Sequence, residues 1–392
     1  MKKKNLGENT ICTHVGETPD NQFKGSVSPI FMGSSYEFLN VDVKRYPRYF
    51  NTPNQEYLVK KIAALEHAES AMIFSSGMAA VSTTLMAFLG AGDHIVLQKD
   101  IYGGTRNLVE SQFDRFNIEY TFTEGLHVDD FRNCIKSNTK LIYIETPSNP
   151  LLKIVDIEAV ANLSKSNGLI SVIDNTFATP IIQKPIDFGI DIVLHSATKY
   201  FGGHSDISAG AVAAKQEHID TISDLAKNLG GNLSDFMVWM LERSMKTLNV
   251  RVKAQQKNAK KIAKILNKNE HISCVYYPGL KSHPDYKLAK KQMKGFGAML
   301  SFDLANGFNA EEFLNALNLV KPSMSLAGVE TTMILPALTS HALLTPEERK
   351  AQGIGDGLIR CSVGLEDVDD IIADIENAFR KVTKANLAVF NS

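Results

Sequence analysis

Lys199 stands in the stretch Leu194-His-Ser-Ala-Thr-Lys-Tyr-Phe-Gly-Gly-His-Ser-Asp206, just past the apolar run Ile190–Leu194. An amine there can bond covalently to a carbonyl and later carry a proton. A solvated lysine has a pKa of about 10.4 and is inert, so its chemistry depends on its companions. Ser196 and Thr198 place hydroxyls beside it, suited to an anion. Upstream, Gly168-Leu-Ile-Ser-Val-Ile-Asp174 is a second apolar run, ending in an acid and followed by Asn175-Thr176. Parallel neighbouring strands would bring Asp174 and Lys199 to one rim of a sheet, where open α/β sheets bind ligands. An acid and a carbonyl-binding lysine at one rim suit pyridoxal phosphate. The acid keeps the pyridine nitrogen protonated and the lysine holds the aldehyde. The competing reading of Asp174 is an ordinary helix cap.

Further stretches fit the same ligand. Ser75-Ser-Gly-Met-Ala-Ala80 opens a segment of helical character to Leu89, and free N–H groups at a helix start bind phosphate. Asp100-Ile-Tyr-Gly-Gly-Thr105 suggests a bend that presents the flat face of Tyr102 to an aromatic ring, although a core tyrosine at a turn explains it equally. Asn149 falls at a strand's carboxyl end, where its amide suits a substrate carboxylate or a ring hydroxyl; turn formation beside Pro150 competes. Arg360 lies in an otherwise apolar strand, where an unpaired charge is costly; a structural salt bridge is the alternative.

The elements that must position these residues alternate. Helices are expected at Gln55–His67, Ser75–Leu89 and Ile157–Asn167, with a short one near Asp129–Ile135. Strands are expected at His94–Gln98, Ile118–Phe122, Lys140–Glu145 and the two runs above. Strands with helical crossovers argue for a mainly parallel sheet covered on both faces. Beyond Gly230 two helices, Ser234–Thr247 and Val250–Asn267, lead to a smaller α+β domain. Its strands are Ser273–Tyr277, Gly297–Asp303 and Leu358–Val363, and helix Val368–Val382 closes the chain. Residues 1–52, broken by Gly and Pro, show little helical pattern and read as an arm that needs a partner surface.

The 392 residues suit an arm (1–52), a large cofactor-binding domain (53–248) and a smaller C-terminal domain (249–392). Apolar residues make up 44% and the formal charge is −1, which indicates neither disorder nor a nucleic-acid partner. No apolar run approaches membrane-spanning length, and Met1-Lys-Lys-Lys-Asn5 is followed by no hydrophobic region, so neither a membrane nor secretion is expected. Cys12, Cys134, Cys274 and Cys361 lack metal-like spacing; free thiols in a cytoplasmic protein, and no metal, are the expectation.

In combination, Ser196-Ala-Thr-Lys-Tyr with Gly203-His-Ser-Asp206, Glu145-Thr-Pro-Ser-Asn-Pro150 and Leu358-Ile-Arg-Cys-Ser-Val-Gly-Leu-Glu-Asp367 resemble the Cys/Met-metabolism, or trans-sulfuration, family of pyridoxal-phosphate enzymes. The resemblance covers about Gly25 to Val382. It implies the fold type I, aspartate-aminotransferase-like α/β architecture with a mainly parallel seven-stranded sheet, assembled as a homotetramer of paired dimers. It implies Lys199 and Tyr102 as catalytic residues, and phosphate held by Gly77, Met78, Ser196 and Thr198. Asp174 and Thr176 would hold the ring side, and Tyr46 and Arg48 would reach a neighbouring subunit's phosphate. Asn149, Ser325 and Arg360 would orient the substrate carboxylate. The implied activity is a carbon–sulfur lyase acting on a small sulfur amino acid, cystathionine γ-lyase-like. Methionine γ-lyase, cystathionine γ-synthase or O-acylhomoserine sulfhydrylase, and cystathionine β-lyase are alternatives. Outside the family, a pyridoxal-independent Schiff-base lysine enzyme or a non-catalytic binding protein remain rivals. Three positions depart from, or divide, the family pattern. Asn51-Thr-Pro-Asn54 stands where many members read Asn-Pro-Thr. Met324 stands where cystathionine γ-lyases and γ-synthases usually carry a glutamate. Gly104 is the cystathionine-enzyme residue where methionine γ-lyases usually carry a cysteine.

Overall fold

The protein is described by a computed structural model covering residues 6–342 and 344–390, with side chains in the last helix followed to Thr383. The Met1–Asn5 reading lies outside these residues. The chain groups into two compact units, Met1–Glu145 with Val155–Val250, and Thr146–Ile154 with Arg251–Ser392.

The first unit is built on a seven-stranded sheet. Its strands are β1 (Ser70–Phe74), β2 (His94–Leu97), β3 (Glu119–Phe122), β4 (Thr139–Glu145), β5 (Ile170–Asp174), β6 (Ile192–His195) and β7 (Gly210–Ala214), in the spatial order β1-β7-β6-β5-β4-β2-β3. The run from β3 through β2, β4 and β5 to β6 is parallel, while β7 runs against both its neighbours. The central strands are apolar on both faces. Val172, Ile192 and Leu194 join one core with Val81 and Leu85 of helix Gly77–Phe88. Ile173 and Val193 join another with Ile157 and Val160 of helix Ile157–Ser166. A strand buried on both sides therefore reads as an unbroken apolar run. Each such side chain contributes about 1.5–3 kcal/mol by leaving water.

Local chemistry sets the helix starts. Thr52 accepts the Gln55 N–H and Gln55 returns a bond to the Thr52 N–H, with Pro53 at the first helical position of Pro53–Glu66. The Asn51–Asn54 departure is thus a helix cap: the Asn51 side chain accepts the Tyr46 N–H, and Asn54 accepts that of Phe31. Three parts of the sequence expectation need correction. The arm contains a helix, Glu8–His14, and a second helix, Gln216–Leu229, precedes Gly230. Strands β1 and β7 were also not anticipated.

The second unit carries a five-stranded sheet. Its strands are β8 (Ile272–Tyr276), β9 (Met299–Leu304), β10 (Lys321–Pro322), β11 (Thr332–Ile334) and β12 (Leu358–Ser362), ordered β10-β11-β12-β9-β8. Only β10 and β11 pair in parallel. Helix Val368–Phe390 follows β12. Among the described residues no helix is long and apolar enough to cross a membrane, and no cluster of His, Cys, Asp or Glu is arranged to hold a metal ion.

Candidate active site

The carboxyl ends of β4, β5 and β6 lie side by side, with Glu145 opposite Asp174 and Asp174 opposite Leu194. The turn after β6 carries Ser196, Thr198 and Lys199. Lys199 donates its N–H to Ser196 O at 3.0 Å, and Gly203 donates to Lys199 O at 2.7 Å, so a tight turn fixes the lysine backbone.

Gly77 opens its helix against Ser196. A Cβ on residue 77 would lie 2.9 Å from the Ser196 Oγ and Cβ, so only glycine permits this approach. Two stretches more than a hundred residues apart in sequence are thereby joined. Ser76 caps the helix by accepting the Ala79 N–H at 3.0 Å. The N–H groups of Gly77 and Met78 belong to the first turn, where the helix supplies no acceptor and a phosphate does. Thr198 is committed locally: its hydroxyl donates to Ala209 O at 3.1 Å and accepts the Ala209 N–H at 3.0 Å.

Asp174 is only 9% exposed. Burial pushes its carboxyl above the ordinary carboxylate range, while hydrogen bonds from the Thr176 hydroxyl and N–H, the latter 2.9 Å from Oδ1, pull it back down. Thr176 also accepts the Ser196 N–H at 2.8 Å, tying the two rim turns together. A protonated ring nitrogen is the cation this buried carboxylate calls for, and a helix N-terminus next to Ser196 is the cradle a phosphate calls for. The residues present therefore fit pyridoxal phosphate.

Tyr102 caps helix Gly103–Gln112 with its backbone, and its side chain is 43% exposed. Its N–H donates to Glu145 Oε2 at 2.7 Å. Its ring lies over Gly104, where a Cβ would come within 2.5 Å of Tyr102 Cε1 and 3.2 Å of Met78 Sδ. Sequence reasoning quoted Glu145 only as part of a motif and missed this anchoring role; a carboxylate ending an apolar strand was the available signal. Tyr46 and Arg48 sit on the arm. The Arg48 guanidinium lies about 5.5 Å from the centres of the Tyr46 and Tyr49 rings and donates to Lys227 O. The described contacts within the chain do not bring this pair to Gly77, Ser196 or Lys199.

In the second unit, Arg360 lies in the middle of its sheet, opposite Ser301 on one side and Ile334 on the other, and is 4% exposed. Its Nη1 donates to Asn149 Oδ1 at 3.1 Å and its Nη2 to the Ser325 carbonyl at 2.9 Å. The three residues expected together to orient the substrate carboxylate therefore converge. Ser325 takes part through its backbone oxygen. Met324 beside it is 70% exposed.

Residues 9–380 match the family model described as Cys/Met metabolism PLP-dependent enzyme. An L-methionine gamma-lyase from Fusobacterium nucleatum subsp. polymorphum is 44% identical, over 97% of this chain and 100% of the relative. A cystathionine gamma-lyase from Bacillus subtilis (strain 168) is 41% identical over the same shares. A crystal structure of cystathionine gamma-lyase from Lactobacillus plantarum complexed with L-serine matches with a TM-score of 0.93 and 38% identity, covering 96% of this chain and 100% of that one.

Proposed function

This chain belongs to the Cys/Met metabolism family of pyridoxal-phosphate-dependent enzymes, and on that premise we propose that it cleaves carbon–sulfur bonds in sulfur amino acids. The reaction is the α,γ-elimination of cystathionine to cysteine, 2-oxobutanoate and ammonia. It is an enzyme whose cofactor is pyridoxal 5′-phosphate. The observation that carries the reading is the buried Asp174 at the end of β5, beside the strand that leads to Lys199.

When bound, the cofactor supplies an electron sink for the bond electrons at the substrate Cα. The chain supplies the rest. Lys199 would carry the cofactor and, once released, would take the α-proton and then a proton from Cβ, whose electron pair expels the γ-sulfur; the sulfur leaves with a proton. Asp174, aligned by Thr176, holds a proton at the ring nitrogen. The first-turn N–H groups of Gly77 and Met78 would hold the phosphate with Ser196, and with Thr198 once its hydroxyl turns from Ala209 O. Tyr102 stacks on the ring and gives or takes a proton at the leaving group. Arg360, with Asn149 and Ser325, grips the α-carboxylate.

Methionine γ-lyase is the second reading. Met324 next to Ser325 is apolar and exposed, and a thioether cannot neutralise the far ammonium of cystathionine. Gly104 argues the other way. Cystathionine, methionine, cysteine and O-acylhomoserine with cysteine, assayed side by side, separate the readings. Cysteine with 2-oxobutanoate from cystathionine supports the proposal. Pyruvate with homocysteine identifies a β-lyase, product only from O-acylhomoserine a synthase, and methanethiol from methionine with inert cystathionine a methionine γ-lyase.

A cytoplasmic homotetramer of paired dimers goes with this function, the arm 1–52 lying on a neighbouring subunit. Phe23, Met32, Phe38 and Leu39 of the arm are each more than 60% exposed, apolar surface that a partner would cover. Tyr46 and Arg48 then serve the neighbour's phosphate. None of the four cysteines is joined in a disulfide, which is compatible with a reducing compartment.

A further inference from the structure

Two residues near the carboxylate grip hold backbone conformations that side chains disfavour. Ser325 has φ +81° and Ala327 has φ +66°, and neither is glycine. Such strain persists only where the surroundings over-determine it, and it clusters at functional sites. Here the surroundings are the turn that follows β12. Ala327 N–H donates to the Ser362 hydroxyl at 2.6 Å, and Leu365 N–H donates to Val329 O at 2.7 Å. Glu366 takes two bonds from the fully buried Thr331, at 2.5 Å from its N–H and 2.7 Å from its hydroxyl. That hydroxyl in turn accepts the Gly364 N–H at 2.9 Å. Gly364 is packed so closely that a Cβ there would fall 2.4 Å from Val329 O and 2.6 Å from the Glu330 carbonyl carbon.

We infer that Thr331, Gly364 and Glu366 form a latch that holds residues 325–331 in their strained path, so that the Ser325 carbonyl stays against Arg360 and fixes the guanidinium for the substrate carboxylate. They are positioning residues, and the inference rests on the reading of Arg360 as the carboxylate grip. Thr331 is the most informative of the three. Its hydroxyl both gives and takes a bond, so valine in its place leaves Oε2 of Glu366 and the Gly364 N–H without that partner while the shape is kept.

The test uses the holoenzyme and two probes that cannot be cleaved. L-norleucine carries an α-carboxylate, and pentylamine is the same chain without it. Each is titrated against the visible band of the bound cofactor, and kcat and KM are measured with cystathionine. In Thr331→Val, norleucine binding should weaken by roughly tenfold, with KM rising in parallel, while pentylamine binding and kcat stay within about twofold. Thr331→Ser should restore wild-type values. Glu366→Gln, at a partly exposed position, should weaken norleucine selectively even if the valine variant folds poorly. Equal weakening of both probes, or norleucine binding within about twofold of wild type in both Thr331→Val and Glu366→Gln, overturns the latch. Arg360→Ala is the control. If Arg360→Ala weakens norleucine no more than it weakens pentylamine, the carboxylate assignment itself falls and takes the latch with it.

Discussion

At the scale of the residue, the proposed division of work between Lys199 and Asp174 can be tested. Lys199→Ala should abolish turnover, a loss on the order of a thousandfold or more for a residue that moves protons. The fold should survive, as circular dichroism would show, and the cofactor should wash out on dialysis because its covalent tether is gone. Near-normal activity in that variant would falsify the assignment. Asp174→Asn should retain some cofactor and lose most activity. The direction of the Asp174 shift adds a pH signature. Burial raises its folded pKa above the ordinary carboxylate value, so folding without cofactor favours the protonated form more than the unfolded chain does. That contribution is present below the unfolded pKa and lost as pH rises through the folded one. A ring N–H placed against the carboxylate reverses the balance. Thermal stabilisation by added cofactor should therefore grow from pH 4 towards neutrality in wild type, and less steeply in Asp174→Asn. Equal slopes in the two would count against the contact.

At the scale of the element, the strand next to the edge of the large sheet holds a titratable pin. His94 on β2 lies between the hydroxyls of Thr139 and Thr121, at 2.8 and 2.9 Å from Nδ1 and Nε2. Burial, helped by the nearby Lys136 ammonium, lowers its pKa to about 4. A depressed histidine favours folding while neutral, so the contribution is complete above pH 6.5 and falls away as pH drops towards 4. The loss is about 2–3 kcal/mol. Urea midpoints at pH 7 and pH 4.5 should differ more in wild type than in His94→Asn; an unchanged difference would show that β2 is not pinned there. Two of the elements missing from the sequence reading share one cause, a weak local signal supported by distant partners. Gly210-Ala-Val-Ala-Ala214 lacks the branched and aromatic residues of a strand, and it is one because β1 and β6 offer it backbone partners on both sides. Helix Glu8–His14 is too short to stand alone. The buried Lys61 ammonium donates to Cys12 O at 2.7 Å and pairs with Glu242 at 3.4 Å, which ties the helix down.

At the scale of the whole molecule, the proposal of a shared active site makes a sharp prediction. Arg48→Ala and Lys199→Ala subunits should each be inactive, or nearly so, as homo-oligomers. Mixed and reassembled, they should regain activity, because a site with an intact lysine from one chain and an intact arginine from another can form. In a dimer assembled at random, roughly a quarter of the sites would combine two intact contributions, which sets the scale of the recovery. A fully active monomer in sedimentation, or no recovery on mixing, removes the arm from the site.

Much of this protein was legible from the sequence alone. The parallel sheet, its crossover helices, and the placement of Lys199 and Asp174 past strand ends follow from apolar runs and helical spacing, which are local properties of the chain. The suitability for pyridoxal phosphate follows from residue types at those ends. What only the tertiary structure decided are contacts between distant residues and bonds made by the backbone. Gly77 reads as a simple helix start until Ser196 is seen against it. Asn149 and Arg360 are 211 residues apart and meet at 3.1 Å. The part Ser325 plays is that of a carbonyl, which no side-chain pattern encodes. The pairing of Thr331 with Glu366 depends on β11 and β12 lying side by side. Periodicity reveals which face of an element is buried; which partner it is buried against is settled only when the elements pack.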